Sequence, residues 1–89
     1  MLQRTLTIQN KLGLHARPSA LLSKTAALFK SSITLTENQR SVDAKSILGL
    51  MTMALPCGTE LTVTVDGPDE ASAMESIVEL FEDRFGEEE

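Results

Sequence analysis

The sequence contains few of the residues that build disulfides, metal sites and membrane spans. A single cysteine, Cys57, excludes an internal disulfide and fits a reducing compartment. A single histidine leaves no cysteine and histidine cluster at metal-ligand spacing, so we expect neither a metal nor a cofactor. The chain has no run of about eighteen apolar residues and no charged segment leading into one. We therefore expect no membrane insertion, no export and a cytoplasmic location.

Basic residues are also scarce. Lys and Arg total 8 against 13 Asp and Glu, which gives a net charge of −5. Nucleic-acid binding depends on Lys and Arg neutralising phosphates, so we expect no nucleic-acid partner. The acids crowd residues 66–89, whereas most basic residues lie in the first half of the chain. This split would let the basic half face an acidic protein partner.

Apolar residues make up 42% of the 89 positions, enough for one two-layer core, and we expect residues 1–89 to form a single domain. The hydrophobic periodicity predicts seven elements in the order βαββαβα. Strands are predicted at 2–8, 33–36, 41–43 and 60–65, and helices at 16–29, 46–55 and from 67 onwards.

The predicted strands carry threonines on one face and aliphatic residues on the other. This pattern indicates a four-stranded antiparallel sheet with one solvated face and three helices on the dry face, an open-faced α/β sandwich of the α+β class. The last helix is predicted to continue to Phe85, and Glu87-Glu88-Glu89 is expected to be a frayed, solvated tail. The stripe that this helix should bury is Met74, Ile77, Val78, Phe81 and Phe85.

The only histidine stands in the segment Gly13-Leu14-His15-Ala16-Arg17-Pro18-Ser19. Near neutral pH much of its imidazole is uncharged and can act as a nucleophile. Gly13 suits a tight turn and Pro18 suits a first helical turn, so we place His15 at a helix N-cap. The free N–H groups of Ala16 and Arg17, with the Arg17 guanidinium, would then bind an anion attached to the ring. The alternative is a histidine that is only structural or solvated.

A second segment, Ala44-Lys45-Ser46-Ile47-Leu48-Gly49-Leu50-Met51, begins the second predicted helix. With the histidine segment and the order of elements, it resembles the two signatures of the HPr family. These proteins are the histidine-containing phosphocarriers of the bacterial phosphoenolpyruvate-dependent sugar phosphotransferase system. The resemblance covers nearly the whole chain.

The resemblance implies that His15 accepts a phosphoryl group on Nδ1 from enzyme I and passes it to an enzyme IIA. Arg17 and the backbone at Ala16 and Arg17 would bind the phosphoryl group. The protein would be a monomeric co-substrate that cycles between two forms, not a stand-alone enzyme. Phosphoryl transfer depends mostly on positioning and electrostatic stabilisation, which a helix end and one arginine can provide.

Ser46 resembles the regulatory serine that HPr kinase/phosphorylase modifies, which would make this kinase a third partner. The alternative is that Ser46 only caps the helix, since serine is a common N-cap. Leu48 stands where many kinase-regulated members have methionine.

Exposed apolar residues near His15 would form the docking patch for partner proteins. Leu50 and Leu55 are expected to be mainly buried, and Leu48 and Met51 mostly exposed. The docking candidates are Leu14, Ile47, Leu48, Met51 and Met53, and the alternative for some of them is packing in the core.

Two alternative functions stay open. The segment Asn10-Lys11-Leu12-Gly13 also occurs in NPr, the related carrier of the nitrogen branch, so the sequence does not distinguish the two branches. The chain could instead be a regulatory binding module that docks according to the state of Ser46. The paralogue Crh lacks the active-site histidine, and His15 argues against that assignment.

Overall fold

A computed structural model describes residues 1–87 and contains the predicted elements in the predicted order, followed by a short 3-10 turn. Within those residues, no helix is long and apolar enough to span a bilayer. The elements are β1 Leu2–Thr7, α1 Ala16–Ala26, β2 Ser32–Glu37, β3 Arg40–Asp43, α2 Ile47–Met53, β4 Glu60–Asp66, α3 Glu70–Glu82 and the 3-10 turn Arg84–Gly86.

The four strands form one antiparallel sheet in the order β1-β4-β2-β3. In the central strand β4, Val63 lies opposite Arg4 of β1 and Leu35 of β2. Val63 is buried, whereas the neighbouring Thr62 and Thr64 are half-buried on the other face. This period of two confirms the predicted sheet with one dry face, against which α3 packs, while α1 packs against α2 and α3.

The apolar core lies between this sheet face and the helices. It includes Phe81 and Phe85, whose ring centroids are 5.0 Å apart. Removing these side chains from water provides the main favourable contribution to folding. The other buried apolar residues are Ile8, Leu14, Leu22, Ala26, Ile33, Leu35, Ala44, Leu50, Met53, Leu55, Leu61, Val63, Val65, Ala73, Met74 and Ile77.

The first two helices are shorter than predicted. α1 ends at Ala26, because the N–H groups of Leu28 and Phe29 donate to carbonyls only three residues earlier and tighten the chain into a final turn. Leu28 is consequently 78% exposed. α2 ends at Met53, because Ala54 adopts a left-handed conformation with φ of 49° that stops the helix.

The C-terminal segment departs furthest from the prediction. α3 ends at Glu82, and Arg84 and Phe85 both have left-handed backbones with φ of 53°. Phe85 is buried as expected, but outside the helix, and Val78 is only partly buried. The turn brings Glu87 back onto the protein, where its carboxylate contacts Asn10 and His15. The expectation of a frayed tail is therefore wrong for Glu87. Glu88 and Glu89 lie outside the described residues.

Candidate functional site

His15 stands at the N-terminus of α1, as its sequence context predicted. It is the N-cap residue, with φ of −83° and ψ of −168°, and its carbonyl accepts the first helical hydrogen bond from the Ser19 N–H at 3.0 Å. Its imidazole makes no capping hydrogen bond and is 35% exposed. The N–H groups of Ala16 and Arg17 begin the helix and so have no helical acceptor. A nucleophile and anion-binding donors therefore share one helix end.

The loop before His15 is held by backbone and side-chain hydrogen bonds. The Gly13 N–H donates to the Asn10 carbonyl at 3.0 Å, and the Asn10 Nδ2 donates to the Gly13 carbonyl at 2.6 Å. The Leu14 N–H donates to the Leu55 carbonyl at 2.8 Å, which ties the loop to the end of α2.

Gly13 has a positive φ of 73°, and a Cβ on it would lie 2.5 Å from the Leu55 carbonyl oxygen. Only glycine fits this position without strain. The approach of the chain to His15 is therefore rigid.

The carboxylate of Glu87 contacts the imidazole from the C-terminal segment. Its Oε2 lies 2.9 Å from the His15 Nε2, and its Oε1 accepts a hydrogen bond from the Asn10 Nδ2 at 2.9 Å. The Glu87 side chain is only 13% exposed. The hydrogen bonds from the Asn10 amide and from His15, together with the nearby positive charge of Arg17, lower the pKa of Glu87. The group is thus an ionised carboxylate at neutral pH.

Neither Asn10 nor Glu87 was among the residues predicted for the site. The Gly13 N–H donates to the Asn10 carbonyl, and asparagine and glycine are both common turn residues, so a local signal for a turn at Asn10 existed. Glu87 had none, because it reaches His15 from 72 residues away through two left-handed residues.

A shallow hollow of about 380 Å³ adjoins the ring. Leu12, which was not predicted as a docking residue, lines it together with Met51 of α2. The other lining residues are Leu14, His15, Ala16, Ala54, Leu55 and Pro56.

The exposure of the docking candidates is mixed. Ile47, Leu48 and Met51 are exposed, as expected, and Leu50 and Leu55 are buried. The expectation that Leu14 and Met53 are exposed is wrong, because both pack into the core. Leu14 is only 2% exposed, since its side chain belongs to the apolar core, and its carbonyl and N–H are both hydrogen-bonded within the fold. It supports the hollow from beneath and offers no free surface to a partner.

Ser46 is the N-cap of α2, as predicted. Its Oγ accepts a hydrogen bond from the Gly49 N–H at 3.1 Å, and the residue is exposed. The preceding Lys45 donates from Nζ to the Phe29 carbonyl at 2.9 Å, which ties the start of α2 to the end of α1. The hydroxyl is thus both a structural cap and an accessible group.

Comparison with known proteins identifies the family of this chain. The sequence model described as "PTS HPr component phosphorylation site" matches residues 2–83. A phosphocarrier protein HPr from Cupriavidus necator is 52% identical over 87 residues, covering 98% of each chain.

Solved structures agree with the sequence matches. An HPr structure from Thermoanaerobacter tengcongensis is 42% identical and superposes with a TM-score of 0.96 over the full length of both chains. An HPr dimer from the same organism, 41% identical, covers 98% of this chain and all of its own with a TM-score of 0.78. The chain therefore belongs to the HPr family, the phosphocarriers of the phosphotransferase system.

Proposed function

We propose that this protein carries a phosphoryl group on His15 Nδ1, accepting it from phosphorylated enzyme I and passing it to an enzyme IIA of the sugar phosphotransferase system. The observation that supports this most is the half-exposed imidazole at the start of an 11-residue helix, with Arg17 in the first turn. The helix end carries partial positive charge, and a guanidinium can bind phosphate oxygens in pairs. Arg17 and the N–H groups of Ala16 and Arg17 bind the phosphoryl group in this proposal.

An open site fits a group that moves between proteins. The transferred phosphoryl needs alignment and charge stabilisation more than covalent assistance, so each partner can complete the site when it docks. The hollow beside His15 is shallow, which leaves the ring accessible to a partner. This chain then acts as a co-substrate in each transfer.

The docking surface in this proposal consists of Ile47, Leu48 and Met51, with Leu12 across the hollow. All four side chains are exposed and apolar, and Leu12 and Met51 line the hollow that contains His15. Burying such residues against a partner is favourable, because apolar area leaves water. We expect Met51→Ala to raise KM for enzyme I with little change in kcat. The matched control is Leu28→Ala, which truncates an exposed leucine outside the docking surface and should leave KM unchanged.

A phosphotransfer assay tests the carrier function. Incubation with phosphoenolpyruvate and a compatible enzyme I should give the wild type an acid-labile phosphate that His15→Ala does not acquire. Arg17→Ala should accept the group more slowly than Arg4→Ala, which removes the same charge on β1. Labelling that survives in His15→Ala would overturn the proposal, as would a wild type that acquires nothing.

Regulation at Ser46 is the second part of the proposal. The hydroxyl is exposed at a helix start, where a phosphate is tolerated, and it would add about −1.5 to −2 charge beside the docking surface. The added charge would repel an acidic partner and slow transfer from enzyme I. HPr kinase with ATP should label the wild type and the exposed-site control Ser72→Ala but not Ser46→Ala. Label that persists in Ser46→Ala would contradict the assignment.

The protein acts in this proposal as a single-domain monomer in the cytoplasm. One of the similar solved structures is an HPr dimer, so the oligomeric state needs its own measurement. Light scattering after size-exclusion chromatography should give the monomer mass of 9.7 kDa, and twice that value would refute the monomer.

A further inference from the structure

The contact between Glu87 and His15 leaves one ring nitrogen free. A carboxylate has no proton to donate, so the 2.9 Å contact between Oε2 and Nε2 requires the hydrogen to be on Nε2. A neutral imidazole carries only one N–H, and Nδ1 is then left with its lone pair. The arrangement therefore selects the nitrogen that can attack phosphorus.

The carboxylate is held in place from its other oxygen. Oε1 accepts from the Nδ2 of Asn10, a fully buried residue whose amide also donates to the Gly13 carbonyl. The loop that leads into His15 and the C-terminal segment are thus joined through one amide. Because Phe85 is buried two residues earlier, the backbone that carries Glu87 is also anchored.

We propose that Glu87 is a positioning residue for phosphoryl transfer, which fixes the His15 tautomer with the proton on Nε2 and stabilises the positive charge that the ring gains during the reaction. This inference rests on the proposed function. The same division of roles occurs in catalytic triads, where a buried carboxylate orients a histidine through its far nitrogen.

The charge balance of the step explains the second role. The Nδ1 lone pair forms the bond to phosphorus while the bond between phosphorus and the donor breaks, and that electron pair leaves with the donor. His15 keeps its Nε2 proton, so its ring becomes a phosphorylated imidazolium. The positive charge forms beside the carboxylate of Glu87, which strengthens their hydrogen bond in the transition state. Onward transfer reverses these changes.

Glu87→Gln gives the sharpest test because the Asn10 Nδ2 requires an acceptor. The single oxygen of Gln is expected to turn toward Asn10, which places the amide NH2 against Nε2. An N–H donor facing Nε2 favours the opposite tautomer, in which the proton is on Nδ1. Nδ1 then has no free lone pair with which to attack phosphorus. Glu87→Ala removes the contact without this reversal, so the Gln variant should be the slower of the two.

The ring tautomer is measured from the imidazole ¹⁵N chemical shifts of the full chain, and phosphate acceptance from enzyme I is measured on the same samples. Glu87→Gln should move the neutral ring toward the Nδ1–H form and slow acceptance roughly ten-fold or more, the scale of one charge-assisted hydrogen bond. The matched control is Glu82→Gln, the same charge change at the exposed end of α3, which should alter neither quantity. Thermal unfolding of each variant shows that the fold is retained.

Two results for the Glu87→Gln variant would overturn the inference. One is a wild-type tautomer in Glu87→Gln, and the other is a shifted tautomer with acceptance within two-fold of the Glu82→Gln control. If the wild type acquires no phosphate, the proposed function fails, and a proton on Nδ1 in the wild type refutes the contact by itself. The tautomer measurement thus separates failure of this inference from failure of the carrier function.

Discussion

Truncation of Phe85 to alanine should release the C-terminal segment and destabilise the whole protein. The Phe85 ring is fully buried and packs against Phe81 at a centroid distance of 5.0 Å and an interplanar angle of 59°. Removing a buried phenylalanine side chain costs about 3–5 kcal/mol in transfer and cavity energy. Alanine relieves none of this cost, because it is as strained as phenylalanine at a φ of 53°.

We expect a loss near the lower end of that range, about 3 kcal/mol, because the segment follows the last helix and can partly detach instead of leaving an empty cavity. For a domain of this size each 1 kcal/mol lowers Tm by roughly 4–8 °C, so Phe85→Ala should melt about 12–24 °C below the wild type. Domains of this kind have a total stability of about 5–15 kcal/mol, and the variant should remain folded at 25 °C.

Urea and thermal unfolding followed by circular dichroism measure this effect. The control is Phe29→Ala, the same truncation at a half-buried phenylalanine, which should cost clearly less. The His15 ring in Phe85→Ala should also show the tautomer population of Glu87→Ala, since both changes remove the carboxylate. A loss below about 1 kcal/mol, or an unchanged His15 ring, would refute the reasoning that burial of Phe85 anchors Glu87.

Three further predictions concern the turns and caps. Gly13→Ala should lower stability by more than about 1–2 kcal/mol, the cost of a left-handed L-residue, and should slow phosphoryl acceptance. Gly58→Ala, where φ is also positive but no atom lies within 4 Å, should carry the backbone cost alone, and equal melting temperatures would contradict the proposed clash. Hydrogen bonds from the Ser31 hydroxyl and the nearby backbone lower the pKa of Asp69 from 3.8 to about 2. Because the folded pKa is the lower one, this stabilisation is present above about pH 4 and is lost as pH falls toward 2. In urea titrations Asp69→Asn should therefore be less stable than the wild type above pH 4 and similarly stable near pH 2. A stability difference between the two proteins that does not change with pH would refute this. Ser46→Ala should cost about 0.5–2 kcal/mol through the lost cap, with Ser46→Asp closer to the wild type, and an unchanged urea midpoint in the alanine variant would show that the cap contributes nothing.

Much of the fold could be predicted because its signals are local. The alternation of β4 and the helical spacing in α1 and α3 directly reflect which faces meet the core. Helix ends were predicted less well, since they depend on the left-handed Ala54 and on the tightened turn after Ala26. Alanine has no intrinsic preference for a left-handed backbone, so tertiary packing decides that conformation.

The burial of apolar side chains on the short helix α2 also depended on the tertiary structure. The expectation that Leu50 is buried while Leu48 and Met51 are exposed is confirmed, although periodicity alone could not settle it. Periodicity did not reveal that Met53 and the loop residue Leu14 are buried, because a seven-residue helix and a loop define no clear face.

The sequence by itself determined the family through its two signature segments and the order of elements through its hydrophobic periodicity. It also placed His15 at a helix N-cap, because Gly13 and Pro18 constrain the backbone on either side of it. Only the tertiary structure decided what lies behind that ring. Glu87 reaches the His15 Nε2 because Arg84 and Phe85 turn left-handed and Phe85 is buried in the core. A contact across 72 residues that depends on two strained backbones leaves no periodic trace in a sequence. Burial of one aromatic ring, which compensates that strain, places the carboxylate at the site.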